Sequence, residues 1–134
     1  MTKVIIFTNE KNGVSVCVPT GELPIEAVLT KDAPSHAIIV DASELPEADN
    51  DFFNSWELID GVVSVNLDKA KAQTKDRLRA ERVPLLAAQD VAFQRALEEG
   101  KDTAAIVAEK QRLRDITGLV DSCKSTEELR GVKP

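Results

Sequence analysis

Four acidic residues near the middle of the chain are the first candidates for chemistry: Asp49, Asp51, Glu57 and Asp60. Two carboxylates held side by side can act as general acid and general base. Chance explains this grouping better, because 23 of the 134 residues are Asp or Glu. The chain also has no Gly-rich phosphate loop, no HExxH zinc motif and no GxSxG elbow. We therefore predict that the protein is not an enzyme and has neither catalytic residues nor a cofactor.

Metal binding is not predicted either. Oxygen ligands for calcium are available near residues 50–60, but they lack the regular spacing and the bidentate Glu of a known calcium loop. The two cysteines, Cys17 and Cys123, belong to no CxxC or Cys/His cluster, and His36 is the only histidine. Isolated thiols of a protein made in the cytoplasm stay reduced. Whether these two pair in an extracellular particle is left open.

The net charge of −6 is unevenly distributed. Residues 1–66 contain three basic and eleven acidic residues, giving −8, whereas residues 67–134 contain fourteen basic and twelve acidic residues, giving +2. This balance argues against binding to nucleic acid or to anionic membranes, which both need a basic surface. The apolar run near the N-terminus, Val4–Phe7, is too short for a signal peptide or a membrane span.

Residues 1–66 have the pattern of a small β-rich head. Short apolar runs separated by Gly, Asn and Pro predict two hairpins, a third strand and one short helix. The predicted strands are Val4–Phe7, Val14–Val18, His36–Val40 and Val62–Val65, the last one paired through the Asp60–Gly61 turn with the end of the segment Phe52–Leu58. The predicted helix is Pro24–Lys31. Three aromatic residues, Phe52, Phe53 and Trp56, are expected to anchor the core of the head. The alternative is an exposed platform on which a sugar stacks.

Residues 67–134 have the pattern of a helical region, so the predicted fold class is α+β. Asn66 can cap a long helix that ends at Gly100, and Pro84 either kinks this helix or divides it into two helices that meet at a corner. The segment before Pro84, from Asp68 to Arg79, is charged almost all round and is predicted to be solvated or intersubunit.

A return helix from Ala104 to about Thr117 is predicted to close an antiparallel hairpin on the long helix. Its core is expected to consist of Leu86, Phe93, Leu97, Leu113 and Ile116. The spacing of Ser125 and Glu128 predicts a capping box and a short terminal helix. A hairpin with so narrow an apolar seam needs a third element, which could be the β head, the terminal helix or another subunit.

The helical region carries a recognisable order of residues, RLRAERVPLLAAQDVAFQRALEE followed by KQRLRDIT and STEEL. This order resembles the C-terminal part of small tail-associated proteins of tailed bacteriophages, in which R-x-x-R-x-P-L-L-A-x-x-D-V-x-[FY]-x-R-A-x-E precedes K-Q-x-L-R-D-[IV]-T and a terminal T-x-E-E-L-K module. The head also resembles that group in its first hairpin, its VDASELP corner and its passage from Trp56 to the long helix. The chain departs from the pattern at Lys133, where an aromatic often stands.

The resemblance implies a protein-binding role without chemistry, as an adaptor or structural part of the tail fibre or baseplate, made in the host cytoplasm and retained in the virion tail. The alternatives are a tail-fibre assembly chaperone that leaves the particle and a small regulatory binder of a host protein. Partners would be fibre or baseplate proteins or further copies of the chain. We predict that the contacts lie on the helical segment, at Arg79, Arg82, Leu86, Phe93, Arg95 and Arg114.

Overall fold

The fold is α+β, with two small β-sheets in the N-terminal part and helices after them, as predicted. The structure is a computed structural model that describes residues 2–134. It divides into two compact units, one up to Ala70 and one from Lys71 onwards. The units are called the head and the helical unit below, and the first turn of the long helix belongs to the head.

An antiparallel three-stranded sheet forms the centre of the head, with β1 (Lys3–Thr8) between β2 (Val14–Cys17) and β3 (Ile38–Asp41). The predicted hairpin of β1 and β2 is confirmed. Its loop is closed by Asn9, whose side-chain oxygen accepts hydrogen bonds from the backbone N–H groups of Lys11 and Gly13. The third strand begins at Ile38, later than predicted, so His36 lies before it.

A second hairpin, β4 (Trp56–Ile59) with β5 (Val62–Val65), packs on one face of this sheet. Asp60 and Gly61 make its two-residue turn, with φ of 51° and 80°, the positive angles that favour Gly, Asn and Asp in such turns. The residues buried between the layers are Val4, Ile6, Val14, Trp56 and Val63.

Two aromatic residues of the head, Phe52 and Trp56, anchor its core, as predicted. Trp56 is buried, and its indole Nε1 donates to the carbonyl of Asp49 at 3.1 Å. Asp49 belongs to the 3₁₀ segment that precedes β4, Glu47–Ser55. Phe52 is also buried, and Phe53 lies against Trp56 with ring centroids 4.9 Å apart. The prediction is therefore confirmed for Phe52 and Trp56 but not for Phe53, which is 37% exposed, and a platform of three exposed rings is not formed.

The opposite face of the three-stranded sheet is covered by α1 (Ile25–Asp32). Pro24 precedes its first residue and Pro34 follows its end, where a proline biases the preceding residue towards an extended conformation. Ile5 points to this face and is fully buried. The head is therefore a helix, a sheet and a hairpin in three layers.

One continuous helix, α2 (Leu67–Glu99), contains Pro84. The alternative of two helices meeting at a corner is wrong, because one missing N–H does not end a helix flanked by strong helix formers. Asn66 caps the start by accepting from Lys69 N–H at 3.0 Å. Gly100, at φ of 69°, ends the helix, and Lys101 N–H donates to the carbonyl of Ala96 at 2.8 Å.

The return helix α3 (Ala104–Asp115) is shorter than predicted and continues as a 3₁₀ segment, Ile116–Ser122, before α4 (Thr126–Gly131). The predicted antiparallel hairpin of α2 and α3 is observed: Asp90 and Phe93 of α2 contact Lys110, whereas Arg82, earlier in α2, contacts Leu113 and Arg114, later in α3. The predicted capping box is present in part. Ser125 Oγ accepts from Glu128 N–H at 3.2 Å, as predicted, but the Glu128 carboxylate accepts from the N–H of Lys124, the residue before the cap, and not from that of Ser125.

The core of the helical unit lies nearer to the 3₁₀ segment and α4 than predicted. Of the five predicted core residues, Leu113 and Ile116 are buried, Leu86 and Phe93 are half-buried, and the prediction for Leu97 is wrong, since 55% of it is exposed. The other large buried residues are Leu78, Val120, Cys123 and Leu129. The third element that the hairpin needs is therefore supplied within the unit by residues 116–131.

The solvated role predicted for the charged first part of α2 is also wrong. Ala70, Thr74 and Leu78 follow one another at intervals of four residues, so they lie on one side of α2, and all three are buried. Such a buried side is hard to recognise in the sequence, because it is only one residue wide and its neighbours are mostly charged. Of the charged neighbours, Lys71, Lys75 and Arg77 are half-exposed, whereas Asp68, Asp76 and Arg79 are exposed.

Candidate partner-binding surface

An exposed apolar stripe follows the solvent side of α2. Ala80, Val83, Pro84, Ala87 and Val91 stand at i, i+3, i+4, i+7 and i+11, which places them on one side of the helix. All five are exposed, Val83 at 64% and Val91 at 52%. We call these five residues the outer stripe; at 1.5 Å per residue it is about 16 Å long.

The buried side of α2 faces away from the outer stripe. Leu78 and Ala96 are buried there, and Val83 comes five residues after Leu78, which is about 140° around the helix. The angle from Leu78 therefore separates the buried side of α2 from the outer stripe.

Basic side chains of α2 reach the ends of the three helical segments that follow it. Arg82 Nη1 lies 2.9 Å from the carbonyl oxygen of Arg114 at the end of α3, and 3.4 Å from that of Leu113. Arg77 Nη2 donates to the carbonyl oxygens of Leu129 and Val132 at the end of α4, at 3.3 and 2.9 Å. The last carbonyls of a helix lack partners inside it and carry partial negative charge, so cations stabilise them.

The 3₁₀ segment is held in the same way. Lys71 Nζ donates to the carbonyl oxygen of Asp121 at 3.2 Å, and Lys75 Nζ lies 2.8 Å from the Asp121 carboxylate. Lys75 holds the pKa of Asp121 below its usual value through this hydrogen bond and its charge. Lys71, Lys75, Arg77 and Arg82 of α2 therefore stabilise the helical unit through contacts with the segments that follow α2.

This arrangement divides the six predicted contact residues into two groups. The Arg82 side chain donates hydrogen bonds to carbonyl groups at the end of α3. Leu86 and Phe93 are half-buried, and Lys110 of α3 lies 5.4 Å from the centre of the Phe93 ring while it pairs with Asp90 at 2.5 Å. These three residues serve the hairpin itself.

The remaining three predicted contact residues are exposed arginines. Arg79 comes four residues before Val83 and pairs with Asp76 of its own helix at 3.0 Å. Arg95 comes four residues after Val91. Both therefore flank the outer stripe. The Arg95 and Arg114 side chains make no hydrogen bond or ion pair with any residue of the 2–134 range. The structure thus brings Arg79 and Arg95 to one surface and leaves Arg114 apart on α3.

The other polar groups do not assemble into a reactive centre in the part of the chain that the structure describes. Within residues 2–134, no three His, Cys, Asp or Glu residues are grouped as a metal site would need, and no buried side-chain polar atom lacks a hydrogen-bond partner. Arg112 lowers the pKa of Glu109 through a hydrogen bond, but this pair is on the surface. Cys17 and Cys123 are both free thiols.

No helix within residues 2–134 has the length and apolar character that crossing a bilayer requires. Comparison of the chain with models of protein families, with curated proteins and with solved structures gives no match in any of the three. The outer stripe and its two flanking arginines are the surface of the helical unit best suited to a partner.

Proposed function

We propose that the protein is a non-enzymatic, protein-binding component of a bacteriophage tail, an adaptor that holds a part of the tail fibre or baseplate through α2. The observation that carries the proposal is the outer stripe. A helix that packs on one side of a globular unit normally has a polar opposite side. Here the opposite side is apolar over three turns and exposed, which is typical of a surface that another protein covers.

The composition of the outer stripe indicates the kind of contact. Alanine and proline have short side chains, so a partner can approach the helix closely between Val83 and Val91. Arg79 and Arg95 stand at its two ends, and their guanidinium groups suit carboxylates or backbone carbonyls of the partner. Uncharged centre and charged rim are the usual anatomy of a protein interface.

The identity of the partner as a tail protein rests on the resemblance in the same segment. The pattern from Arg79 to Glu98 includes Pro84, Ala87 and Val91 of the outer stripe and the two flanking residues, Arg79 and Arg95. Five of its positions therefore belong to the outer stripe or flank it, which supports the view that the pattern describes a contact surface as well as a hairpin core.

Mass spectrometry of purified phage particles tests the proposal. The adaptor is expected at a fixed stoichiometry to the fibre or baseplate proteins. Absence from the particle, together with misfolded fibres after deletion of the gene, would instead identify a chaperone of fibre assembly. Intact particles without the protein, together with a host protein bound to it, would contradict any role in the tail.

A further inference from the structure

The head has an unpaired strand edge whose free backbone groups can be assigned by residue. Ala42 N–H donates to the carbonyl of Thr2 at 2.8 Å, so residues 42 and 2 form a hydrogen-bonded pair. In an antiparallel ladder such pairs alternate with pairs that make no bond to each other. Given the register of β1 and β3, the N–H and C=O groups of Ile39 and Asp41 point away from β1.

No other strand of the described chain pairs with this side of β3. Ile39 and Asp41 therefore present two donors and two acceptors at the spacing of a β-ladder. Asp41 also accepts Ser43 N–H through its carboxylate, and this bond, with Lys3 nearby, lowers the pKa of that carboxyl group. The side chain stays ionised at the edge.

An apolar pocket of about 410 Å³ adjoins the same strand. It is lined by Ile6, Val40, Glu44, Leu45, Gly61, Val62 and Val63, all residues of the head. Val40 lies between Ile39 and Asp41 and points to the face that carries the pocket. A strand added beside β3 would direct every second side chain to this face, since side chains alternate along a strand.

The negative charge around the edge of β3 favours a positively charged partner segment. The first 66 residues carry a net charge of −8, and Asp41 and Glu44 stand at the edge and in the pocket wall. An acidic edge repels an acidic segment and attracts a basic one.

We propose that β3 is a docking edge for an extended segment of a partner protein, with apolar residues at alternate positions and lysine or arginine between them. The segment adds a fourth strand beside β3, bonds to Ile39 and Asp41, and places an apolar side chain in the pocket. This contact is separate from the outer stripe, and either can fail without the other.

Amide hydrogen exchange of the full chain, followed by NMR, tests the proposal. The probe is a nine-residue peptide in which valine alternates with lysine or threonine, and its control has glutamate in place of every lysine. Saturation with the lysine peptide is expected to slow exchange of the Ile39 and Asp41 amides by about tenfold or more. The corresponding outward amides of the other sheet edge, Val14 and Val16, are the internal reference and should not change.

Two variants locate the side-chain contact. Val62→Lys puts a cation at the pocket and should weaken binding of the lysine peptide by about tenfold, a loss of about 1.4 kcal/mol. Ile59→Lys is the matched control, because Ile59 pairs with Val62 across the hairpin and is similarly exposed but does not line the pocket. The Ile59→Lys variant should bind the lysine peptide as tightly as the unaltered chain does.

Protection of Val14 and Val16, equal binding of the glutamate peptide, or chemical-shift changes without protection of Ile39 and Asp41 would each overturn the proposal. Absence of any binding at millimolar peptide would also overturn it.

Discussion

Arg82 Nη1 lies 2.9 Å from the carbonyl oxygen of Arg114, so a side chain in the middle of α2 caps the end of α3. The last carbonyl groups of a helix accept no hydrogen bond from its own N–H groups. In α3 the Arg82 guanidinium donates to two of them, those of Leu113 and Arg114. Arg77 does the same for α4. The helical unit is therefore held by polar contacts between elements as well as by its apolar core.

Replacement of Arg82 by methionine should destabilise the protein by about 1–3 kcal/mol, because hydrogen bonds from a charged donor to two carbonyls are lost while most of the apolar stem remains. Arg79→Met is the matched control and should change stability by less than about 0.5 kcal/mol, since Arg79 is exposed and pairs only with Asp76 on its own helix. Urea unfolding measures both. Equal losses for the two variants would show that the Arg82 cap contributes nothing.

The position of the core predicts a contrast between two leucines. Leu113→Ala should cost about 2–5 kcal/mol, because Leu113 is fully buried. Leu97→Ala should change the free energy of unfolding by no more than about 0.5 kcal/mol, because more than half of Leu97 is exposed. If Leu97→Ala proved as costly as Leu113→Ala, the core would extend to the far end of the hairpin, contrary to the structure.

Pro84 inside a continuous helix predicts that Pro84→Ala stabilises the protein, by up to about 3 kcal/mol, because alanine restores a hydrogen bond and removes the steric conflict of the ring. The reverse change on the same exposed side, Ala87→Pro, should destabilise by a similar amount. Thermal unfolding of the two variants provides the measurement. A loss of stability in Pro84→Ala would mean that Pro84 begins a helix of its own.

The pair of Lys75 and Asp121 predicts a pH dependence of stability. Since the folded-state pKa of Asp121 is lower than its ordinary value of 3.8, the pair stabilises the protein above that value. The contribution is lost as the pH falls through the still lower folded pKa. Asp121→Asn should therefore show a smaller fall in Tm than the unaltered chain when the pH is lowered through this range, and an unchanged fall would contradict the assignment.

Much of the fold follows from local sequence signals. The Asp60–Gly61 turn, the Asn66 cap, the positive φ at Gly100 and the side-chain cap at Ser125 are each determined by a few neighbouring residues, and all four are observed. The position of the helical core was not predictable in this way. It depends on which side of α2 the 3₁₀ segment covers, and only the tertiary contacts of that segment decide this.

The candidate surface was predicted only in part, for a related reason. Arg79 and Arg95 stand beside the outer stripe, but Arg82 looks the same in the sequence and caps α3. An arginine on a charged helix can face solvent, a partner or a carbonyl of its own chain. The sequence carries no signal that separates these cases until the returning segments are placed.

Binding through the outer stripe is what the proposed function requires, and co-purification with tail-fibre and baseplate proteins tests it most directly. We expect the unaltered chain to form a stable complex with one of these proteins. Leu119→Asp should form it too, because Leu119 is 59% exposed but lies in the 3₁₀ segment and not on α2. Val91→Asp, at 52% exposure within the stripe, should keep the fold and lose the complex. Retention of the complex by a folded Val91→Asp variant, or equal loss in both variants, would contradict the account.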